Sequence, residues 1–354
     1  MKKLLLHLLA LVLCLGAILA LVGCSEAYIG QSDEEERVVY RVLEEGITYD
    51  LFRFLVAGHE NLLTEGKPSF WEGKSAEEKE TLWAELRAKA LKDAVSVYAT
   101  LDLAREHGID PEGDTVSDRV KAERKAAIDN MGGFDAYKSF LQAQNMNDFV
   151  FRLYLQEAIC RELLSKKLCI PGGALYPTEK EQVLAYFTSE EAACVSWIMV
   201  SAHTMDGSYD AEYSKEQITK IYEMAKKATD GEFRAMSMPY STPGNVTEEE
   251  CERGIYLGRD QMDAYDATLR DAIFSLAVGE TSEIVETAEG FFLIRRLPKD
   301  EAYILSEEGY ERLVPLYLQN MLAGAIADRT ASLLEQAEAT AFGETVTLEM
   351  ISGK

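Results

Sequence analysis

The run Ile170-Pro171-Gly172-Gly173 constrains this chain most, because neither a helix nor a strand continues through it. Before it, apolar residues recur at spacings of three and four. Trp83, Leu86, Ala90, Ala94, Val97, Leu101 and Ala104 predict a long amphipathic helix, opened by a Ser75/Glu78 capping box and closed by Gly108. Upstream, residues 37–43 have the composition of a short strand, 44–46 of a turn, and Thr48 is the expected N-cap of a helix to about Leu63. Further helices are expected at about 115–130, 134–144 and 148–168. The last carries polar residues only on a narrow stripe that includes Arg152, Gln156, Arg161 and Lys166, so it belongs inside a helical bundle.

Beyond the break the pattern is mixed. Thr178 with Glu181 predicts a second capping box, opening a helix to about Phe187. A strand at 195–200, helices at 212–228, 231–238 and 263–274, and a hairpin of 284–286 with 291–297 around Ala288-Glu289-Gly290 follow. The chain closes with a helix at about 307–338, interrupted by Pro315, and a strand at Val346–Met350. The order of elements predicts an α+β chain, and its 354 residues suffice for two domains. The lone strand at 37–43 needs a partner, so the C-terminal strand is expected to return to it, making the mixed region an insertion in the helical one. The expected division is 37–190 for the helical module, 191–299 for the mixed domain and 300–354 for the returning segment.

The N-terminus predicts an address outside the cytoplasm. Lys2 and Lys3 precede an apolar run from Leu4 to Val22 that ends in Leu21-Val22-Gly23-Cys24, the layout of a secretory signal over residues 1–23. Leu-Val-Gly-Cys resembles the bacterial lipobox, which implies acylation of Cys24 and attachment to the membrane. The stretch 24–36 contains Asp33, Glu34, Glu35 and Glu36 and no Lys or Arg, so anionic lipid would repel it and attachment rests on the acyl chains. It is expected to act as a solvated acidic tether. The net charge of −25 argues against a nucleic-acid partner, which needs a basic face.

No metal or cofactor site is readable. His59, His107 and His203 are far apart, and Cys160, Cys169, Cys194 and Cys251 show neither CxxC nor finger spacing. Phosphate-binding loops, dinucleotide fingerprints and nucleophile elbows are absent as motifs.

Several segments from about 193 to 297 do match a family in order and spacing. These are Val195-Ser196-Trp197-Ile198-Met199-Val200, Gly231-Glu232-Phe233, Tyr240-Ser241-Thr242, Gly258-Arg259-Asp260-Gln261-Met262, Ala272-Ile273-Phe274-Ser275-Leu276 with Gly279-Glu280, and Gly290-Phe291-Phe292-Leu293-Ile294. Together they resemble the parvulin (PpiC-like) family of peptidyl-prolyl cis-trans isomerases. The flanking Glu45-Gly46-Ile47-Thr48 and Gly132-Gly133-Phe134 resemble the chaperone module of SurA- and PrsA-type foldases. The resemblance implies a small, mainly antiparallel sheet flanked by helices, inserted in a helical chaperone module. It also implies unfolded or newly exported polypeptides, Xaa-Pro segments included, as partners at the extracytoplasmic face of the membrane.

Rotation about an Xaa-Pro bond crosses a barrier of about 20 kcal/mol without making or breaking a covalent bond, so it requires no cofactor. An apolar pocket that grips the ring suffices. The resemblance places such a pocket at Gln261, Met262, Leu269 and Phe274, with Leu269 where the family carries a Phe. Two family histidines are replaced, by Trp197 in the opening strand and Phe292 in the last. Pro243 follows Thr242 where an acidic residue or cysteine is usual, and the interval from Met262 to Leu269 is longer than usual. Two large rings in place of two polar ones remove the hydrogen bonds beneath the substrate. Cys251 and His203 are the candidates to substitute for them in space.

Three functions follow: a foldase chaperone whose isomerase is weak or lost, an active isomerase working without the histidines, or a non-enzymatic envelope scaffold. An open pocket favours the first two, and rings of Trp197 and Phe292 that fill it favour the third or a pure holdase.

Overall fold

The computed structural model describes residues 32–64, 66–202, 210–262, 267–287 and 289–352. Cys24, His203 and Asp263 lie outside the described residues, as does the side chain of Gln261. The fold is α+β and divides into two compact units. One consists of the chain up to Lys167 together with Ala325 onward, the other of Leu168–Gly324. The breaks therefore fall at 167/168 and 324/325, within the expected helical module and the expected returning segment.

The first unit opens with β1 (Val38–Val42) and β2 (Glu45–Thr48), an antiparallel pair. The end of the acidic run before them is ordered, with Asp33, Glu34 and Glu36 exposed. Residues 32–37 form a turn closed by Glu36 N–H to Ser32 O (3.1 Å) and Arg37 N–H to Glu34 O (3.2 Å). Arg53 Nη2 donates to Glu35 at 2.7 Å, so a cation on the following helix recruits one acid to the body.

Helices α1 (Tyr49–Thr64), α2 (Ala76–Glu106), α3 (Asp114–Asn130), α4 (Phe134–Ala143) and α5 (Asp148–Leu168) follow. The Ser75/Glu78 capping box forms in both directions, and the predicted stripe from Trp83 to Ala104 is buried. Buried Asp50, at the start of α1, accepts from Leu51 N–H (2.7 Å) and Asn147 Nδ2 (2.7 Å). This carboxylate ties α1 to the start of α5. Gly132 and Gly133 join α3 to α4 at φ 94° and 118°, backbone positions that favour glycine, with open space where a Cβ would stand.

The second unit contains α6 (Lys180–Thr188), β3 (Ala192–Ser201), α7 (Ala211–Ala225), α8 (Asp230–Tyr240), α9 (Glu248–Arg253), β4 (Ile255–Gly258), α10 (Arg259–Met262), α11 (Ala267–Ser275), β5 (Val285–Thr287), β6 (Gly290–Arg296) and α12 (Glu301–Leu305). The capping box of α6 lies one residue later than predicted. Glu179 and Gln182 form it, while Gln182 Oε1 also accepts from Thr178 N–H and hydroxyl at 2.6 and 3.1 Å. Helix α13 (Glu307–Leu334) starts in this unit and ends in the first.

The strands of the second unit form one antiparallel sheet, ordered β4-β3-β6-β5. Because side chains alternate across a strand, the sheet has two distinct faces. Ile198, Phe291 and Leu293 pack with Ile218, Ile221 and Phe233 of α7 and α8 on one. Val195, Met199, Phe292 and Ile294 meet Met262, Leu269 and Ile273 on the other.

The strand predicted at Val346–Met350 is absent. The returning strand is β7 (Glu338–Ala339), which pairs antiparallel with Tyr40 and Arg41 of β1. Residues 343–345 form a 3-10 turn and α14 (Leu348–Ser352) is helical, with Thr347 Oγ1 accepting from Met350 N–H. The β-branched composition of 346–350 signals burial rather than pairing: Val346 and Leu348 are buried.

Candidate binding site on the parvulin-like sheet

Three segments pin the sheet face on which the resemblance places the site. Strand β4 pairs only with Ala192–Val195, leaving the rest of that edge of β3 without a strand. Ser241 and Thr242 take its place. Met199 N–H donates to Ser241 Oγ (3.0 Å), Thr242 N–H to Met199 O (2.8 Å), and Ser201 N–H to Thr242 Oγ1 (2.9 Å). The Tyr-Ser-Thr segment thus covers an open strand edge with side-chain oxygens. Its sequence signal was visible, but its role was not.

Gly258 ends β4 where a Cβ would fall on the Asn320 amide and the Tyr186 hydroxyl. Asn320 is fully buried, so neither group can withdraw freely. Gly258→Ala is expected to destabilise the second unit by about 1–3 kcal/mol through overpacking, read as a lower urea midpoint with an unchanged slope. Gly290, at φ 148°, opens β6 with its Cα against the Val200 carbonyl, which accounts for the second motif glycine.

The residues expected to line the site come together. Met262, Leu269 and Phe292 are 1%, 5% and 7% exposed, and Trp197 and Phe274 pack half-buried against them. The Trp197 and Phe292 rings meet edge to face, with centroids 5.7 Å apart and planes at 78°. These are the two residues that the resemblance sets in place of histidines, and they meet by ring packing.

Cys251 does not join this group. Its sulfur faces Ser237 Oγ at 3.1 Å. Burial pushes the Cys194 thiol up to about 12, and its sulfur lies 3.8 Å from the Arg253 carbonyl, so it is a packed, unreactive thiol. The described cysteines 160, 169, 194 and 251 are all free. Among the described residues no group of His, Cys, Asp or Glu could hold a metal ion.

Two arginines to which the sequence assigned no site role border the cluster, although Arg259 stands within the Gly258–Met262 motif. Arg296 is buried and donates to the Ile273 and Ala192 carbonyls, each at 3.2 Å, closing the end of α11 onto β3. Burial lowers its pKa below the ordinary arginine range; Cys194 opposes that shift and Arg259 adds to it. Arg259 lies with its guanidinium carbon 4.2 Å from the Phe274 ring centroid, and Arg296 lies 5.6 Å from the same centroid. No motif in the chain announces either stack.

The domain is thus an antiparallel sheet with helices over both faces and an apolar, ring-lined cluster on one of them. Residues 198–297 match the family described as rotamase, PPIC-type PPIASE domain, so the chain carries a domain of that type.

Among solved structures the chain is similar to PrsA from Bacillus subtilis, at 16% identity over 72% of this chain and 86% of that one, with a TM-score of 0.26. It is also similar to foldase protein PrsA from Streptococcus pneumoniae, at 15% identity over 90% and 98%, with a TM-score of 0.31. One of two SurA-like chaperones of Campylobacter jejuni matches at 14% identity over 86% and 99%, with a TM-score of 0.28. The comparison with curated proteins gives no match.

Proposed function

We propose that this chain is a foldase chaperone for exported proteins, held at the extracytoplasmic face of the membrane by acyl chains on Cys24. Its PPIC-type domain binds client segments through Met262, Leu269, Phe274 and Trp197, and its isomerase activity is weak or lost. One observation carries the reading on activity: Phe292 and Met262 are almost wholly buried, with Trp197 packed on Phe292, so that two rings fill the place where the family resemblance implies two hydrogen-bonding histidines. Membrane attachment is supported by Leu21-Val22-Gly23-Cys24, and no helix among the described residues is long and apolar enough to cross a bilayer.

The test measures cis-to-trans rates of Xaa-Pro peptides by a protease-coupled or NMR exchange assay, using the chain from Ser25, with Met262→Ala as control. The expected result is little or no acceleration, the same in both proteins, alongside suppressed aggregation of an unfolded client. Strong acceleration that disappears in Met262→Ala would instead establish a working isomerase without the histidines.

A further inference from the structure

We propose that Arg259 makes the ring cluster selective for peptide segments carrying a carboxylate next to the apolar side chain they dock. The proposal rests on the reading that this domain binds clients, and it names the chemical class of segment the domain prefers.

Arg259 opens α10, immediately after the end of β4, and its backbone N–H donates to the Glu191 carbonyl at 2.8 Å, which fixes where the side chain starts. The guanidinium then lies over Phe274, a ring half-buried against Met262 and Leu269. Stacking leaves the edge of a guanidinium free to donate, since the π-face and the N–H fork use different directions. Nε lies 3.4 Å from Glu191, and among the described residues nothing accepts from Nη1 or Nη2. The side chain remains 41% exposed beside the apolar cluster.

Arg296 stacks on the same ring but cannot play this part, because it is buried, with Nη1 and Nη2 donating inward to the Ile273 and Ala192 carbonyls. The other side chains of the cluster are apolar. Arg259 is therefore the group that brings unspent donors to the patch. A forked pair of N–H groups matches the two oxygens of a carboxylate and cannot be matched by an amide, which presents one oxygen. Glu191, itself largely exposed, is the resident acid that a client carboxylate would join or displace.

The experiment compares two end-blocked peptides, Ala-Glu-Pro-Phe and Ala-Gln-Pro-Phe, binding to the full chain in mild detergent by titration calorimetry. The glutamate peptide is expected to bind about fivefold more tightly at low salt, a preference that shrinks as salt rises. Arg259→Gln should abolish the preference while the glutamine peptide still binds, which also reports an intact fold. Arg259→Lys, a point charge without the fork, should keep only part of the preference.

Equal affinities in the unaltered chain, or a preference that persists in Arg259→Gln, would overturn the proposal and leave the client-binding reading standing. Binding of neither peptide would overturn both. Should Arg259→Gln lose both peptides, Arg259→Lys decides: a retained preference supports a charge-based role, and an equal loss of both peptides overturns it.

Discussion

A chain ending at Gln336 is expected to lose most of the stability of its helical unit. The deletion removes β7 from β1 and, with Thr340, an N–H to Val39 O (2.9 Å) and a hydroxyl to Val38 O (2.6 Å). It removes Phe342, which lies under Arg37 at 3.4 Å and against Tyr49 at 5.6 Å between centroids. Gly343 goes as well, packed so closely on the Val39 carbonyl that no side chain fits, as does the Met350 carbonyl that accepts from the Tyr49 hydroxyl. Buried Val346 and Leu348 are lost with them. Two buried aliphatic side chains contribute about 1.5–3 kcal/mol each, and a hydrogen bond about 1 kcal/mol. The total approaches the stability of a typical domain, about 5–15 kcal/mol.

Urea denaturation of single-tryptophan versions separates the two units, because Trp71 and Trp83 belong to the helical unit and Trp197 to the other. The Trp71 and Trp83 midpoints should fall steeply and the Trp197 midpoint should hold. A deletion that moves neither would show that the C-terminal segment does not support β1. The truncated chain should also aggregate, since it presents an unpaired strand edge.

The second large effect is expected from Phe292→Ala. This ring is buried among Met199, Trp197, Val285 and Ile294 and supports the edge of Trp197. Removing it should cost about 3–5 kcal/mol, the transfer term plus the cavity left behind. Trp197→Ala, at a half-buried position, should cost less. A Phe292→Ala midpoint equal to that of the unaltered chain would mean that the patch collapses without loss and that the ring pair does not hold the sheet face together. Measured beside Phe292→His, the alanine variant separates volume from polarity at a position where the family carries an imidazole.

The parts of the fold written in local chemistry were legible in the sequence. Ser75 with Glu78 and the stripe from Trp83 to Ala104 define a helix by contacts within a few residues, and that helix forms within its predicted bounds. Met262, Leu269, Phe274, Trp197 and Phe292 came together because a motif order carried over by resemblance encodes their three-dimensional neighbourhood. What stayed hidden depends on partners far along the chain. Strand β4 is only Ile255–Gly258 and has no alternation to detect. Ser241 and Thr242 look like ordinary turn residues until the open edge of β3 is seen. Glu338–Ala339 pairs because Thr340 and Gly343 fit beside β1, whereas 346–350, richer in strand formers, curls into a turn and a helix. Arg259 is one cation among 36 until Phe274 comes to lie under it.

The hydrogen bond from Thr340 to Val38 spans 302 positions, and this separation sets an order of assembly. For a chain that emerges N-terminus first, all of Leu168–Gly324 is available before the strand that completes the helical unit exists. At about 5–20 residues per second, β1 waits on the order of 15–60 s for β7. Through that interval the PPIC-type domain can fold and the helical unit cannot close, so its apolar surfaces are the last to be sealed. A protein that we propose to shelter unfinished chains is thus, for most of its own synthesis, an unfinished chain with its binding half already built.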